Sequence, residues 1–309
     1  MTPKEKYIAL CNSGDYYVPL FLQPWWMDAV CEGKQWDVLL AEDGDTVVAA
    51  MPFLHGKKLG MEYVLNPQLT PWAGPWMHPS LGEKDRYAAV DRLAAELRKR
   101  NPVLCKLCLM PGVDLWDFFL IRGFDGVTRH TYCFPSLADP EALYRASSRL
   151  RRRYDKSVEE LCEVDTGLTV DEFVPFHIDY YRRRGMRDLI PEPLMRRVVT
   201  TACDRGQGLL RGLRERKSRR LHAAWFVAYD ERCSWSLLLA RCANDHRGSM
   251  SYLVWQVLRE LSGRTQSFDF EGGMDPELAF FYSSFGTVET PYKCVYRSRI
   301  PFGKLLLHI

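Results

Sequence analysis

One pattern occurs twice in this chain and limits its fold more than any other feature: a short apolar strand, a glycine turn, and a helix closed by aromatic residues. The stronger copy runs Ser267-Phe268-Asp269-Phe270-Glu271-Gly272-Gly273-Met274-Asp275 and on through Phe280-Phe281 to Phe285-Gly286. The weaker copy is Leu109-Met110-Pro111-Gly112-Val113-Asp114, then Phe118-Phe119 and Gly123-Phe124, at a near-constant offset with one residue of slip. Each follows a hairpin, a loop and an amphipathic helix. The repeat predicts two copies of one fold, each with its own core.

A chain of 309 residues has the length for two cores. In the first half, Pro24 opens a short helix, and Trp36 to Ala41 and Thr46 to Phe53 form a hairpin around Asp43-Gly44. A strand near Met61 to Leu65, a proline-rich loop, a helix over 83–100, a strand from Val103, a helix over Asp114 to Ile121 and a strand near Val127 follow. The spacing predicts a basic helix over 139–156, with Asp139 as N-cap, linking residues 1–137 to 138–309. The second half reads strand (Val158), helix (Val170), helix (Pro193), three strands (Gly208, Leu221, Ser234), helix (Ser249 to Leu261), strand (Ser267), helix (Pro276) and a last strand near Pro291. Both halves predict α+β architecture, a mixed and mostly antiparallel sheet flanked by helices.

The two copies differ where chemistry would sit. Side chains alternate on a strand, so Asp269 and Glu271 share a face opposite Phe268 and Phe270, whereas the first copy carries Leu109-Met110 there. Ahead of its helix the second copy has Asn244-Asp245-His246-Arg247-Gly248-Ser249, a loop that offers free amides, a positive helix end and an arginine to a phosphate, or else a plain turn with Ser249 as N-cap. Arg149 and Arg152 in the basic segment are candidates for an anionic substrate, with a solvated helix face as the competing reading. Trp72 and Trp76 either cap a core or wall a substrate site. With 42 basic and 39 acidic residues, net +3, the balance argues against a nucleic-acid coat. No apolar run suggests membrane insertion, and ten scattered cysteines read as reduced thiols in a cytoplasmic protein. Cys105 and Cys108 form a lone CxxC within a strand, and the seven histidines show no HExxH or close pair, so no metal is expected.

The order of elements in the second half, with Phe268-Asp269-Phe270-Glu271-Gly272-Gly273-Met274, Phe280-Phe281, Phe285-Gly286 and Pro291-Tyr292-Lys293, resembles the GNAT acyltransferase fold. A tandem pair of such domains resembles the FemAB-like family, and Leu22-Gln23-Pro24-Trp25-Trp26 and Leu150-Arg151-Arg152-Arg153 add to the likeness. Only Arg247 and Gly248 match the usual pyrophosphate motif of the fold, and no long helical-hairpin arm is evident.

The resemblance implies transfer of an acyl group from acyl-CoA, such as acetyl-CoA, to an amine on a small molecule, peptide or sugar. In this reading Glu271 or Asp269 accepts the amine's proton, Tyr282 donates one, amides near Leu239 hold the oxyanion, and Arg247, Gly248 and Ser249 hold the donor. The first copy then carries a degenerate donor site. Two alternatives stay open: aminoacyl-tRNA-dependent transfer to a peptidoglycan precursor, and a ligand-binding module without catalysis. The structural reading of Asp269 is a carboxylate that ties down a neighbouring loop.

Overall fold

The computed structural model describes residues 1–31, 35–58, 60–186 and 190–300. Two compact units result: Met1–Arg129 together with the chain from Pro291, and His130–Thr290.

The first unit begins with a helix, α1 (Pro3–Ser13), in a stretch where the sequence reading set no element. The signal was local: Thr2 accepts the Glu5 amide at 3.2 Å and the Glu5 carboxylate accepts the Thr2 amide at 2.7 Å, a capping box written as Thr2-Pro3-Lys4-Glu5. After α2 (Pro24–Val30) come β1 (Trp36–Asp43) and β2 (Thr46–Lys58), the antiparallel hairpin expected from Asp43-Gly44. Then follow β3 (Met61–Leu65), β4 (Trp76–Met77), α3 (Glu83–Arg100), β5 (Leu104–Cys108) and α4 (Asp117–Leu120). β2 pairs antiparallel with β3, and β3 pairs parallel with β5.

The chain passes along β6 (Asp125–Phe134) into the second unit. The expected single helix over 139–156 is three short ones, α5 (Pro140–Ala146), α6 (Arg149–Arg152) and α7 (Asp155–Leu161). Extended backbone at Ser147 and Ser148, with ψ of 160° and 145°, makes the first break. Strand β7 (Cys162–Asp165) accordingly starts later than Val158. The remainder follows the predicted order: α8 (Val170–Arg183), α9 (Glu192–Asp204), β8 (Gly208–Glu215), β9 (Leu221–Tyr229), β10 (Cys233–Arg241), α10 (Ser249–Leu261), β11 (Ser267–Asp269), α11 (Pro276–Ser283) and β12 (Val288–Ser298). β7, β8, β9 and β10 pair antiparallel in sequence, and β10 pairs parallel with β11. Two hairpin-linked strands, a third strand, a helix and a strand parallel to the third thus occur in both units, as the repeat implies.

The last strand of each copy is exchanged. β12 follows α11 but completes the first unit's sheet, with Cys294 opposite Cys108 and Arg297 opposite Cys105. β6 follows α4, yet its end lies along β11, Phe134 opposite Phe268 and Cys133 opposite Asp269. The unit bounds differ from a cut after residue 137 by this exchange. It also overturns the expectation of reduced thiols at one place, because Cys108 and Cys294, direct cross-strand partners, are joined by a disulfide. Among the described residues no helix is long and apolar enough to cross a membrane.

The core of the second unit is aromatic. Phe270 is 1% exposed, stacks on Tyr282 at 4.7 Å, meets Phe268 edge-on at 4.8 Å and contacts Phe285 at 5.3 Å. These rings fix the end of β11 to α11, so the segment that carries both acids hangs on Phe270. Removing that ring leaves a cavity under the turn. Phe270→Ala is expected to cost about 3–5 kcal/mol, whereas Phe280→Ala, at a ring 62% exposed, should stay within roughly 0.5 kcal/mol; urea denaturation of both variants compares them.

Candidate active site

Strands β10 and β11 are paired for only three positions, Cys233 with Ser267, Ser234 with Phe268 and Trp235 with Asp269. Beyond Trp235, β10 continues to Arg241 against β9 alone, with a register shift between Ser236 and Leu238. β11 cannot follow it. Glu271, Gly272 and Gly273 have φ of +55°, +84° and +138°, which turns the chain away from the sheet. A Cβ on Gly273 would sit 2.5 Å from the Tyr132 ring, so glycine is required there by space as well as by angle. Because amides point alternately to the two sides of a strand, alternate N–H groups of β10 past Trp235 are left without a strand partner.

A cleft of about 290 Å³ lies along the part of β10 past Trp235, and Asp269, Glu271 and Tyr282 are not among the residues that line it. Leu239 and Arg241 line it from β10, Gly248, Met250 and Ser251 from the start of α10, Arg151 from α6, Tyr180 and Arg184 from the end of α8, and Phe281 from α11. No side chain caps α10, whose first-turn amides at Met250 and Ser251 are therefore open toward the cleft. Gly248 makes this possible: its φ is +89°, and a Cβ there would lie 2.7 Å from the Cβ of Tyr154.

Of the predicted donor-binding residues, Leu239 and Gly248 line the cleft and two others are placed differently. Ser249 is not the N-cap, since Gly248 holds that position; its buried hydroxyl donates to the His246 carbonyl at 2.7 Å. Arg247 is directed at Tyr154, with Nη1 donating to the phenol oxygen at 3.3 Å. The basic segment contributes Arg151 instead of Arg149 and Arg152. Arg151 lies over the Phe281 ring at 4.5 Å, donates to Ser284 Oγ and reaches Ser251 Oγ at 3.4 Å. Arg152 is turned to the Tyr144 ring and the Ser147 carbonyl, and Arg149 is exposed. Tyr180 and Arg184 were missed, although Tyr180-Tyr181 followed by three arginines is a recognisable aromatic and cationic helix end. Trp72 and Trp76, 3% and 4% exposed, are buried in the first unit, Trp72 against Phe21 at 5.2 Å and Trp76 donating to the Tyr17 carbonyl at 3.0 Å. They cap that unit's core and form no open wall.

The two acids are brought together, but not by strand alternation. β11 ends at Asp269, and Glu271 stands in left-handed backbone. Their link is a hydrogen bond, the Glu271 amide donating to Asp269 Oδ1 at 2.8 Å, while the Thr131 hydroxyl donates to the same oxygen. Asp269 thus does tie down the turn. Burial raises its pKa, opposed by the hydrogen bonds from Thr131, the Glu271 amide and Cys133. Partly buried Glu271 is pushed well above the usual carboxylate range, first by desolvation and then by the charge of Asp269. Tyr282, 3% exposed, has its phenol pKa raised by burial and next by Glu271, which keeps the hydroxyl protonated as a donor.

Comparison with solved structures places this geometry in a known fold. FemX superposes with a TM-score of 0.70 at 10% identity, covering 100% of this chain and 98% of that one. The C-terminal domain of a putative lysylphosphatidylglycerol synthetase from Agrobacterium fabrum gives 0.61 at 11% identity over 99% and 96%. A tandem GNAT protein from the clavulanic acid biosynthesis pathway gives 0.56 at 12% over 97% and 95%. No protein-family profile and no curated sequence matches the chain. The fold is that of tandem GNAT proteins, as the repeat and the order of elements implied.

A carboxyl group whose pKa is raised by folding stabilises the protein below its unfolded pKa, and that contribution is lost as pH rises through the folded value. Glu271→Gln removes the charge and its repulsion from Asp269. The variant is expected to melt above the parent at pH 8 and to lose that advantage by pH 4, measured by calorimetry at both pH values. An unchanged difference across that range would show that Glu271 does not carry the shifted ionisation.

Proposed function

We propose that the second unit is an N-acyltransferase that moves an acyl group from acyl-CoA to an amine. The observation that carries this reading is the parting of β10 and β11 beside an uncapped helix N-terminus. It supplies free strand amides for a carbonyl oxygen and free helix amides for a pyrophosphate, on either side of one cleft. Arg151 and Arg184 add positive charge to the same walls, which suits an anionic donor, while Arg241 is paired with Asp245 at 3.4 Å and Glu277 also lines the cleft.

In this mechanism the amine nitrogen attacks the thioester carbonyl, a C–N bond forms, and the C–S bond breaks. Amides of β10 near Leu239 stabilise the oxyanion. Glu271 takes the proton that the attacking nitrogen loses. Its raised pKa makes it a stronger base once ionised than an ordinary carboxylate. Tyr282 gives a proton to the departing thiolate, and Asp269 holds the turn that positions Glu271. The second reading, an aminoacyl-tRNA donor, is favoured by one observation: Arg149, Arg153 and Lys156 are exposed on the segment that carries Arg151, forming a cationic rim for a polyanion.

Calorimetry with acetyl-CoA and CoA tests the donor. Saturable binding, weakened about 10-fold or more in Arg184→Glu and Arg241→Glu through loss of charge pairing, is the expected result. No binding by a folded protein would remove the CoA reading and leave aminoacyl-tRNA to be assayed by labelled transfer. For the chemistry, Tyr282→Phe should keep donor binding and lower kcat by about 100-fold or more. The rate should climb with pH through the raised pKa of Glu271, since the carboxylate is the active form, and Glu271→Gln should abolish that limb. A profile that the substitution leaves in place would exclude Glu271 as the base.

A further inference from the structure

At one end of the second unit's sheet, four elements bring together side chains far apart in sequence. Cys162 opens β7, its cross-strand partner on β8 is Glu215, His222 lies on β9, and His246 stands in the loop between β10 and α10. One ligand atom from each of Cys162, His222 and His246 lies within 4.8 Å of the others. The two imidazoles stack with centroids 4.5 Å apart and planes at 26°. Cys162 and His222 are both 0% exposed.

The protein alone leaves this cluster unsatisfied. His246 Nε2 is buried without a hydrogen-bond partner, 3.4 Å from a Glu215 carboxylate oxygen. His222 faces a donor at each ring nitrogen, the His246 amide at 3.1 Å from Nδ1 and the Arg220 guanidinium at 3.1 Å from Nε2. A neutral imidazole has a single acceptor nitrogen, so both contacts cannot be hydrogen bonds at once.

We propose that Cys162, His222 and His246 bind one zinc-class divalent cation, with the Glu215 carboxylate as fourth ligand. A thiolate, two imidazoles and a carboxylate suit a borderline ion such as Zn²⁺ and do not suit Mg²⁺ or Ca²⁺. Binding breaks the Cys162 S–H bond and releases its proton to solvent. Coordination through His222 Nε2 replaces the contact with Arg220 Nη2 and puts the ring proton on Nδ1, so the exposed Arg220 side chain and the His246 amide, each 3.1 Å from the ring, both give up their contacts with it. The ion would join β7, β8 and β9 to the loop that ends in Gly248, and so brace the open end of α10. It takes no part in acyl transfer, and the site stands whether or not the donor is acyl-CoA.

Co²⁺ is the probe. Full-length protein, dialysed against a chelator under reducing conditions, is expected to take up one equivalent of Co²⁺ with a thiolate-to-cobalt charge-transfer band, to lose that band when Zn²⁺ is added, and to melt at higher temperature with Zn²⁺ bound. Cys162→Ser should abolish the band, and His246→Ala, in a partly exposed loop, should weaken binding at least about 10-fold, the scale on which metal sites respond to lost support. Cys11→Ser, in the first unit, should change nothing. Far-UV circular dichroism establishes that each variant is folded. Absence of the band in the parent protein, or its survival in folded Cys162→Ser, would overturn the site.

Discussion

The acyl transfer proposed for the second unit depends on two parallel strands that pair for three residues and then separate. A full ladder between β10 and β11 would consume the amides of β10 and close the cleft. Backbone chemistry prevents it, because three successive residues from Glu271 to Gly273 adopt positive φ and leave the sheet. Glu271 is the costly member, a side-chain-bearing residue in a region that glycine prefers. Such a conformation costs about 1–3 kcal/mol and persists only where its surroundings fix it. Here they do: the Phe270 amide donates to the Tyr132 carbonyl at 2.9 Å, its ring is locked among Tyr282, Phe268 and Phe285, and Asp269 holds the next amide.

The same turn sets the electrostatics. Two carboxyl groups linked through one backbone amide are held close, and partial burial reduces the screening between them. Both pKa values rise with burial, but Asp269 has hydrogen bonds that oppose the rise, whereas the charge of Asp269 adds to it at Glu271. Division of labour follows from this asymmetry. The carboxylate held by hydrogen bonds serves as a structural anchor, and the one without them is the candidate base.

Legibility in the sequence followed the range of the interactions involved. The aromatic turn, the Asp-Gly hairpin and helices such as Glu83–Arg100 and Ser249–Leu261 were readable because caps, glycines and apolar periodicity act over a few residues. The broken helix at Ser147 was not, since composition favoured continuity and tertiary packing interrupted it. Strand exchange was equally hidden: β6 and β12 have similar patterns, and nothing local states which neighbour either will join. Of the cleft's walls, Leu239 and Gly248 could be named from their neighbourhood in the repeat. Arg151 could not be separated from Arg149 and Arg152, because a short helix sends adjacent side chains in different directions and only Phe281 and Ser284 determine which one enters.

The loop from Cys242 to Gly248 is where the two proposals meet physically. It must present a glycine with φ of +89° to the start of α10 without a capping side chain, so its shape has to be fixed from elsewhere. His246 supplies one anchor through its ring stacking on His222. Ser249 supplies another, its amide and its hydroxyl both donating to the His246 carbonyl. A cation held by His246 would therefore act on the same backbone that leaves the α10 amides open. The cluster at Cys162 lies outside the cleft's walls, and a cation bound there would brace one of them through His246.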